Sequence, residues 1–300
     1  MVEPVSAPSI SLLLPTRGRP ALARRLFRSI AETVSRPDRV EVIVYVDDDD
    51  IESHDLDSDD IAVHRIIGPA RSMGSYNSAC LDRASGGIVV LANDDMIVRT
   101  PRWDERLLTV NDEFPDGIYL AYGNDLNKKR GLSTFPVLSR RTCELLVDPY
   151  PAQYRGAFID VHIFDIFQRL SHAGFDRTRY LEDVVFEHMH FRVGKSAPDA
   201  TYLKRGRFDD DPTFIALAPG RREAARRLID ALQGRRPDQF QRRQYREVVP
   251  TNSLLASAYF ARQFLFDNEL PLRRRLYLWY WFLGRYAAAH GALRHFIRQP

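Results

Sequence analysis

Cysteine is nearly missing from this chain of 300 residues: Cys80 and Cys143 stand alone and form no CxxC pair. That excludes a disulfide framework and fits a reducing compartment. Long apolar runs are missing too. The uncharged block Leu276–Gly284 is nine residues, far short of the ~20 that cross a bilayer. The early run "SISLLLP" is short and follows Glu3 with no basic stretch before it, unlike a secretory signal. A cytoplasmic protein is expected. There is no HExxH, which disfavours a zinc hydrolase, and no Walker A, G-x-G-x-x-G or G-x-S-x-G. Internal repeats and low-complexity tracts are absent as well.

What is present describes a folded chain, 44% hydrophobic and 28% charged, able to bury one large core or two modest ones. A formal net charge of +3 is too small to imply a nucleic-acid partner. Its distribution says more. Asp47 to Asp60 carries nine acids in fourteen residues, and Arg221 to Arg246 carries nine arginines against three acids. The acidic run fails as an EF-hand, with Glu52 at the sixth position and Ser58 at the twelfth. Beyond Asp47 and Asp48 it reads as a solvated loop.

Hydrophobic periodicity supplies the architecture. "SISLLLP", "VEVIVYV", "IAVHRIIG" and "IVVLA" read as strands, "PALARRLFRSIAETV" and "SYNSACLDRAS" as helices. Strand, helix, strand, strand, helix, strand predicts an α/β fold with a mostly parallel sheet flanked by helices. Ligands of such sheets bind at the carboxyl ends of the strands. Here those ends carry Thr16-Arg17, Asp47-Asp48 and Asn93-Asp94-Asp95. Further helices are expected over "WDERLLTVNDEF" and "FIDVHIFDIFQRLSHAG", strands over "GIYLAYGND" and "RYLEDVVFEHMHF", and loop from Lys128 to Tyr154.

Paired carboxylates at a strand end suit a hard divalent cation that completes its shell with water and phosphate oxygens. Taken alone, Asp94 and Asp95 equally read as turn-capping acids. His188 and His190 fall on one strand face, as structural residues or as nitrogen ligands. Asp160, in the first turn of its helix, reads as a capping acid or as a base for a sugar hydroxyl.

The order "LLPTRGRP", "VIVYVDDDD", "GSYNSACLDRASGGIVVLANDDMIV" is similar to the nucleotide-diphospho-sugar domain of family 2 glycosyltransferases, over roughly Ser9 to Thr201. The resemblance implies a Rossmann-like sheet of the GT-A type. It implies nucleotide contacts at Pro15, Thr16 and Arg17, and base-holding acids at Asp47 and Asp48. Gly74 and Asn77, spaced here as Gly-x-x-Asn, resemble the glycine and asparagine of the family's Gly-x-x-x-Asn helix. Asn93 and Asp94 would face the sugar and ribose, and Asp95 the metal–diphosphate. A late histidine, His188 or alternatively His190, would complete the shell of Mn²⁺ or Mg²⁺.

Two departures stand out. "LANDDM" holds no strict Asp-x-Asp ending at Asp94, and the family's Glu-Asp pair is here Ile159-Asp160. The base role therefore falls on Asp160, with Asp165 and Asp183 as alternatives. The implied reaction is inverting transfer from a nucleotide-diphosphate sugar, foremost a UDP-sugar, to a glycan or lipid-linked hydroxyl acceptor, as in bacterial-type surface polysaccharide synthesis. A nucleotidyltransferase is disfavoured because "PTRGRP" has a single glycine; a non-catalytic nucleotide-sugar-binding module is the other reading. The catalytic domain is expected over residues 1–218, followed by a helical region over 219–300. Leu272 to Pro300 holds six arginines and no acid beside "LYLWYWFLG". That region reads as an acceptor site, a homodimer contact with its aromatics packed inward, or a peripheral contact with an anionic membrane surface.

Overall fold

Seven consecutive buried residues form β1 (Ile10–Thr16) and eight more form β2 (Val40–Asp47). Strands buried on both faces need cover on both, and helices supply it. Leu12, Leu14, Val42 and Val44 pack with Ala23, Leu26 and Ile30 of α1 (Pro20–Thr33). The alternate residues Leu13, Ile43 and Tyr45 pack with Tyr76 and Cys80 of α2 (Met73–Arg83). Strand period two thus assigns one helix to each face.

The computed structural model describes residues 9–190, 194–195, 206, 208–237 and 249–291. Among them, eight strands form one sheet in the order β3-β2-β1-β4-β7-β6-β8-β5. β3 (Ala62–Gly68), β2, β1 and β4 (Ile88–Leu91) run parallel. β7 (Val137–Ser139) enters antiparallel between β4 and β6 (Leu120–Asn124). β8 (Thr178–His188) runs parallel to β6, and β5 (Met96–Val98) antiparallel to β8. The mostly parallel α/β sheet flanked by helices is the expected architecture. α3 (Trp103–Glu113) and α5 (Ile159–His172) also fall where expected.

The stretch from Lys128 to Tyr154 is more ordered than its prolines suggest. It contains β7 and α4 (Arg140–Leu146). Pro136, Pro149 and Pro151 bracket these elements instead of interrupting them, and the Ser139 hydroxyl caps α4 by accepting the Thr142 amide at 2.8 Å.

Gly74 shows why α2 lies where it does. A Cβ there would stand 2.0 Å from the carbonyl oxygen of Pro151, and the Gly74 amide donates to the Tyr154 carbonyl at 3.1 Å. Helix and loop meet backbone to backbone, so Gly74→Ala must push them apart. We expect a loss of about 1–3 kcal/mol, measured as a lower urea midpoint at unchanged slope.

Past residue 210 come α6 (Asp211–Ala216), α7 (Ala218–Leu232), α8 (Ser253–Phe260), a π-helical turn (Ala261–Leu265) and α9 (Leu272–Ala289). Phe214, Leu228, Phe260, Phe264 and Phe282 join the same apolar cluster as Leu13 and Tyr45 of the sheet. The aromatics Trp281 and Phe282 of α9 pack on Phe158, while Leu272, Leu276, Tyr277 and Tyr280 remain exposed. No described helix is long and apolar enough to cross a membrane. The last three arginines of the Arg221–Arg246 stretch and the basic end 292–300 lie outside the described residues.

Candidate active site

The carboxyl ends of β1, β2 and β4 open into one cleft of about 790 Å³, closed on its far side by the first turns of α2 and α5 and the end of β8. Pro15, Thr16, Arg17, Asp47, Asn77, Asn93, Asp94, Asp95, Asp160, His188 and His190 all line it. The chain brings these together from six separate segments.

At the floor, the two adjacent aspartates face different partners. Asp94 accepts from the Thr16 hydroxyl at 2.9 Å and from Arg19 Nη1 at 3.1 Å. Burial holds its carboxyl above the ordinary range, with the Arg19 charge opposing. Asp95 turns the other way, its Oδ2 lying 3.2 Å from His188 Nε2. The cause is register: β5 pairs antiparallel with β8, Met96 opposite His188, and the Met189 amide donates to the Asp95 carbonyl at 2.8 Å. Burial disfavours a charged His188, but the bond to Asp95 and the charges of Asp95, Asp125 and Asp160 outweigh it. The ring therefore holds a proton more tightly than a free imidazole. His190 packs edge-on against it, centroids 5.0 Å apart.

The Asp95 carboxylate is a donor that fits Mn²⁺ or Mg²⁺, and an imidazole nitrogen beside it suits Mn²⁺ better than Mg²⁺. Among the described residues no group of three or more such side chains gathers. Asp95 and His188 would supply two positions, leaving the rest to water and ligand oxygens.

At the end of β2, Asp47 is 1% exposed. One oxygen accepts from Arg17, the other from the Tyr76 hydroxyl at 2.5 Å. Burial and that bond push the Tyr76 phenol up to about 12. The acidic loop beyond is less idle than its composition suggests. Asp49 takes a two-pronged bond from Arg17, Asp50 accepts the Gly18 amide at 2.6 Å, and Asp55 pairs with Arg24.

Asp160 enters the cleft from the first turn of α5, after Phe158 in the left-handed conformation (φ 70°). Protein crowds the carboxyl although part of it faces the cleft, and this desolvation pushes it up to about 6 against the Val161 amide bond and the His188 charge.

Three expected site residues lie elsewhere. Asp48 is exposed and lines no part of the cleft, because β2 ends at Asp47 and Asp48 begins the turn that leads away from it. Asp183 sits on the outer surface of β8, paired with Arg106 at 2.8 Å. Asp165 is fully buried on the opposite side of α5, between Arg169 (3.0 Å) and Arg221 (2.8 Å). Those charges outweigh burial and hold its carboxyl well below the ordinary range. Cutting one partner from a buried ion network leaves uncompensated charge. Asp165→Asn should therefore cost about 3–5 kcal/mol of stability in urea unfolding, while the folded fraction keeps its cleft.

The cleft also contains residues that the sequence did not disclose: Arg19, Arg71, Tyr76, Thr134 and Arg155. Helical spacing carried one signal, since Met73, Tyr76 and Asn77 share a face of α2. Nothing local marked the others.

No protein-family model matches the chain, and comparison with curated protein sequences finds no match. Solved structures do resemble it in fold. The mannosyltransferase PcManGT from Pyrobaculum calidifontis, in complex with GDP-Man and Mn²⁺, is 15% identical, with a TM-score of 0.47 over 98% of this chain and 89% of that one. TarS residues 1–349 from S. aureus, in complex with UDP-GlcNAc, is 14% identical with a TM-score of 0.48 over 96% and 92%. Glucosyl-3-phosphoglycerate synthase from Mycobacterium tuberculosis, in complex with Mn²⁺ and UDP-glucose, is 19% identical with a TM-score of 0.47 over 71% and 79%.

Proposed function

We propose that this chain is a metal-dependent inverting glycosyltransferase using a nucleotide-diphosphate sugar, with a UDP-sugar as the first donor to test. The observation that carries the reading is the juxtaposition of the Asp95–His188 pair with Asp160 in one cleft at the strand ends. A hydroxyl acceptor, on a glycan or a lipid-linked carrier, would lie against Asp160. As Asp160 takes its proton, the acceptor oxygen attacks the anomeric carbon, and the bond to the diphosphate oxygen breaks in line, inverting that carbon. Thr16, Arg17, Asn77, Asn93 and Asp94 would orient the nucleotide and sugar. Asp95 and His188 would hold Mn²⁺ or Mg²⁺, which when bound neutralises charge developing on the diphosphate. The exposed stripe Leu272, Leu276, Tyr277 and Tyr280 is where contact with a membrane bearing the acceptor would fall.

The test is release of nucleoside diphosphate from a panel of UDP- and GDP-sugars with and without Mn²⁺. Metal-dependent release supports the reading. Pyrophosphate release from a nucleotide and a sugar phosphate would favour a nucleotidyltransferase instead. Donor binding with no turnover for any acceptor tried, and no effect of Asp160→Asn, would make the chain a binding module.

A further inference from the structure

The wall carrying Asp160 is braced from behind by residues that do not line the cleft. Residues 155–157 precede Phe158, the cap of α5, and form part of that wall. Their three consecutive amides point away from the cleft and end on one carboxylate. Asp210 accepts the Arg155 amide at 2.9 Å, the Gly156 amide at 2.9 Å and the Ala157 amide at 2.8 Å. Successive amides aimed in one direction have no carbonyl to meet and form a concavity suited to an anion. Asp210, only 5% exposed, fills it with charge-assisted bonds.

The next residue ties this brace to the C-terminal helix. Asp211 receives a fork from Arg285 of α9, at 2.8 Å from Nε and 2.5 Å from Nη2. The same guanidinium lies 5.0 Å from the ring centroids of Phe158 and Trp281. Phe158 is the left-handed residue that turns the chain into α5, and its ring also meets Phe214 at 5.2 Å. One connected set of bonds therefore runs from α9 through Asp211 and Asp210 to the turn that aims Asp160.

We infer that Asp210 and Arg285 are positioning residues that hold Asp160 against the acceptor hydroxyl, making α9 part of the catalytic machinery. This rests on the proposed transfer reaction. Asp210→Asn replaces one acceptor oxygen with an NH₂ that faces amide donors, so the 155–157 wall must shift. Displacement of a reacting group by about 1 Å can cost roughly 10²-fold in rate.

The experiment follows Mn²⁺-dependent release of nucleoside diphosphate from the donor that wild-type protein turns over, normalised to the folded fraction from thermal unfolding. For Asp210→Asn we expect kcat to fall about 10- to 100-fold while donor KM stays within about threefold, because Thr16, Arg17, Asp94 and Asp95 are untouched. Arg285→Met should lower kcat by about tenfold, and Arg285→Lys, which keeps the charge opposite Asp211, by clearly less. A merely structural brace would move the folded fraction and leave kcat per folded molecule unchanged. That result, or a donor KM rising in step with the loss of kcat, overturns the inference. Should wild-type protein release no diphosphate from any donor, the transfer reading falls, and this inference with it. Turnover in the wild type with undiminished kcat in both Asp210→Asn and Arg285→Met removes this inference alone.

Discussion

Under the proposed transfer reaction, Asp160→Asn should lower the rate of sugar transfer by about 10²–10⁴-fold, the usual contribution of a general base, and leave Mn²⁺-dependent donor binding in place. The asparagine keeps the shape of the side chain, and its Oδ1 can still accept the Val161 amide, as the carboxylate does at 2.8 Å. Only the capacity to take a proton is lost. The pH profile gives an independent reading. Burial pushes the carboxyl up to about 6, opposed by the Val161 amide and His188 on β8 and reinforced by Asp125 at the end of β6. A base works only when deprotonated, so kcat/KM should rise with unit slope up to about pH 6 and level off above it. Stability has the opposite sign. A carboxyl whose folded value exceeds its unfolded value of about 3.9 binds its proton more tightly when folded. Its stabilising contribution is present below the unfolded value and lost as the pH rises through the folded one. Asp160→Asn should therefore raise the thermal midpoint at pH 8 and change it little near pH 3.5. A limb near pH 4, or transfer unaffected by the substitution, would remove Asp160 from the mechanism.

With Asp95 in the proposed metal-holding role, Asp95→Ala should abolish the metal-dependent part of nucleotide binding. In the wild type, Mn²⁺ and UDP together should raise the thermal midpoint more than either alone, because ligands that bind only the folded state add stability. The variant should lose that joint increment, as should wild-type protein treated with EDTA. His188→Ala should weaken metal affinity by at least about 10- to 100-fold, since even outer-shell partners of metal ligands carry effects of that size. The neighbouring aspartate serves as the internal control. Both Asp94 oxygens are engaged by Thr16 and Arg19, so Asp94→Asn should loosen the β1 loop and weaken donor binding while the Mn²⁺ dependence persists. The reverse pattern, with metal dependence lost in Asp94→Asn and kept in Asp95→Ala, would exchange the two roles.

The pair at the floor of the cleft shows how far local sequence can reach. "GIVVLANDDMIV" marks a buried strand ending in acids, and the placing of Asp94 and Asp95 on the cleft follows from the rule that parallel strands present their carboxyl ends to ligands. Which acid turns to His188 does not follow from it. That contact joins residues 93 positions apart and depends on β5 pairing with β8 in one register. Slipping the ladder by one residue would turn His188 to the other side of the sheet.

The three aspartates on or near α5 and β8 make the same point. Asp160, Asp165 and Asp183 are alike in composition and in their nearness to helix or strand signals. The fold puts one in the cleft, one in a buried ion network and one on the surface. Asp165 lies five residues after Asp160, well over one helical turn on, and meets Arg221, 56 residues away on α7. Tyr76 and Arg19 were hidden for a related reason: each acquires its place through a partner, Asp47 or Asp94, on a distant segment.

By itself the sequence determined most of the strands and helices (though not β5, β7 and α4), the side of the sheet on which the cleft opens and several of the residues around it. Those features rest on hydrophobic periodicity and strand-end chemistry, which act over a few residues and can be read in order. The tertiary structure alone decided the pairing of Asp95 with His188, the placing of Asp160 on the cleft with Asp165 and Asp183 away from it, and the contacts of Asp210 and Arg285 behind the cleft wall. These rest on strand register and helix packing across distant segments, and periodicity within a segment carries no information about which distant segment it will meet.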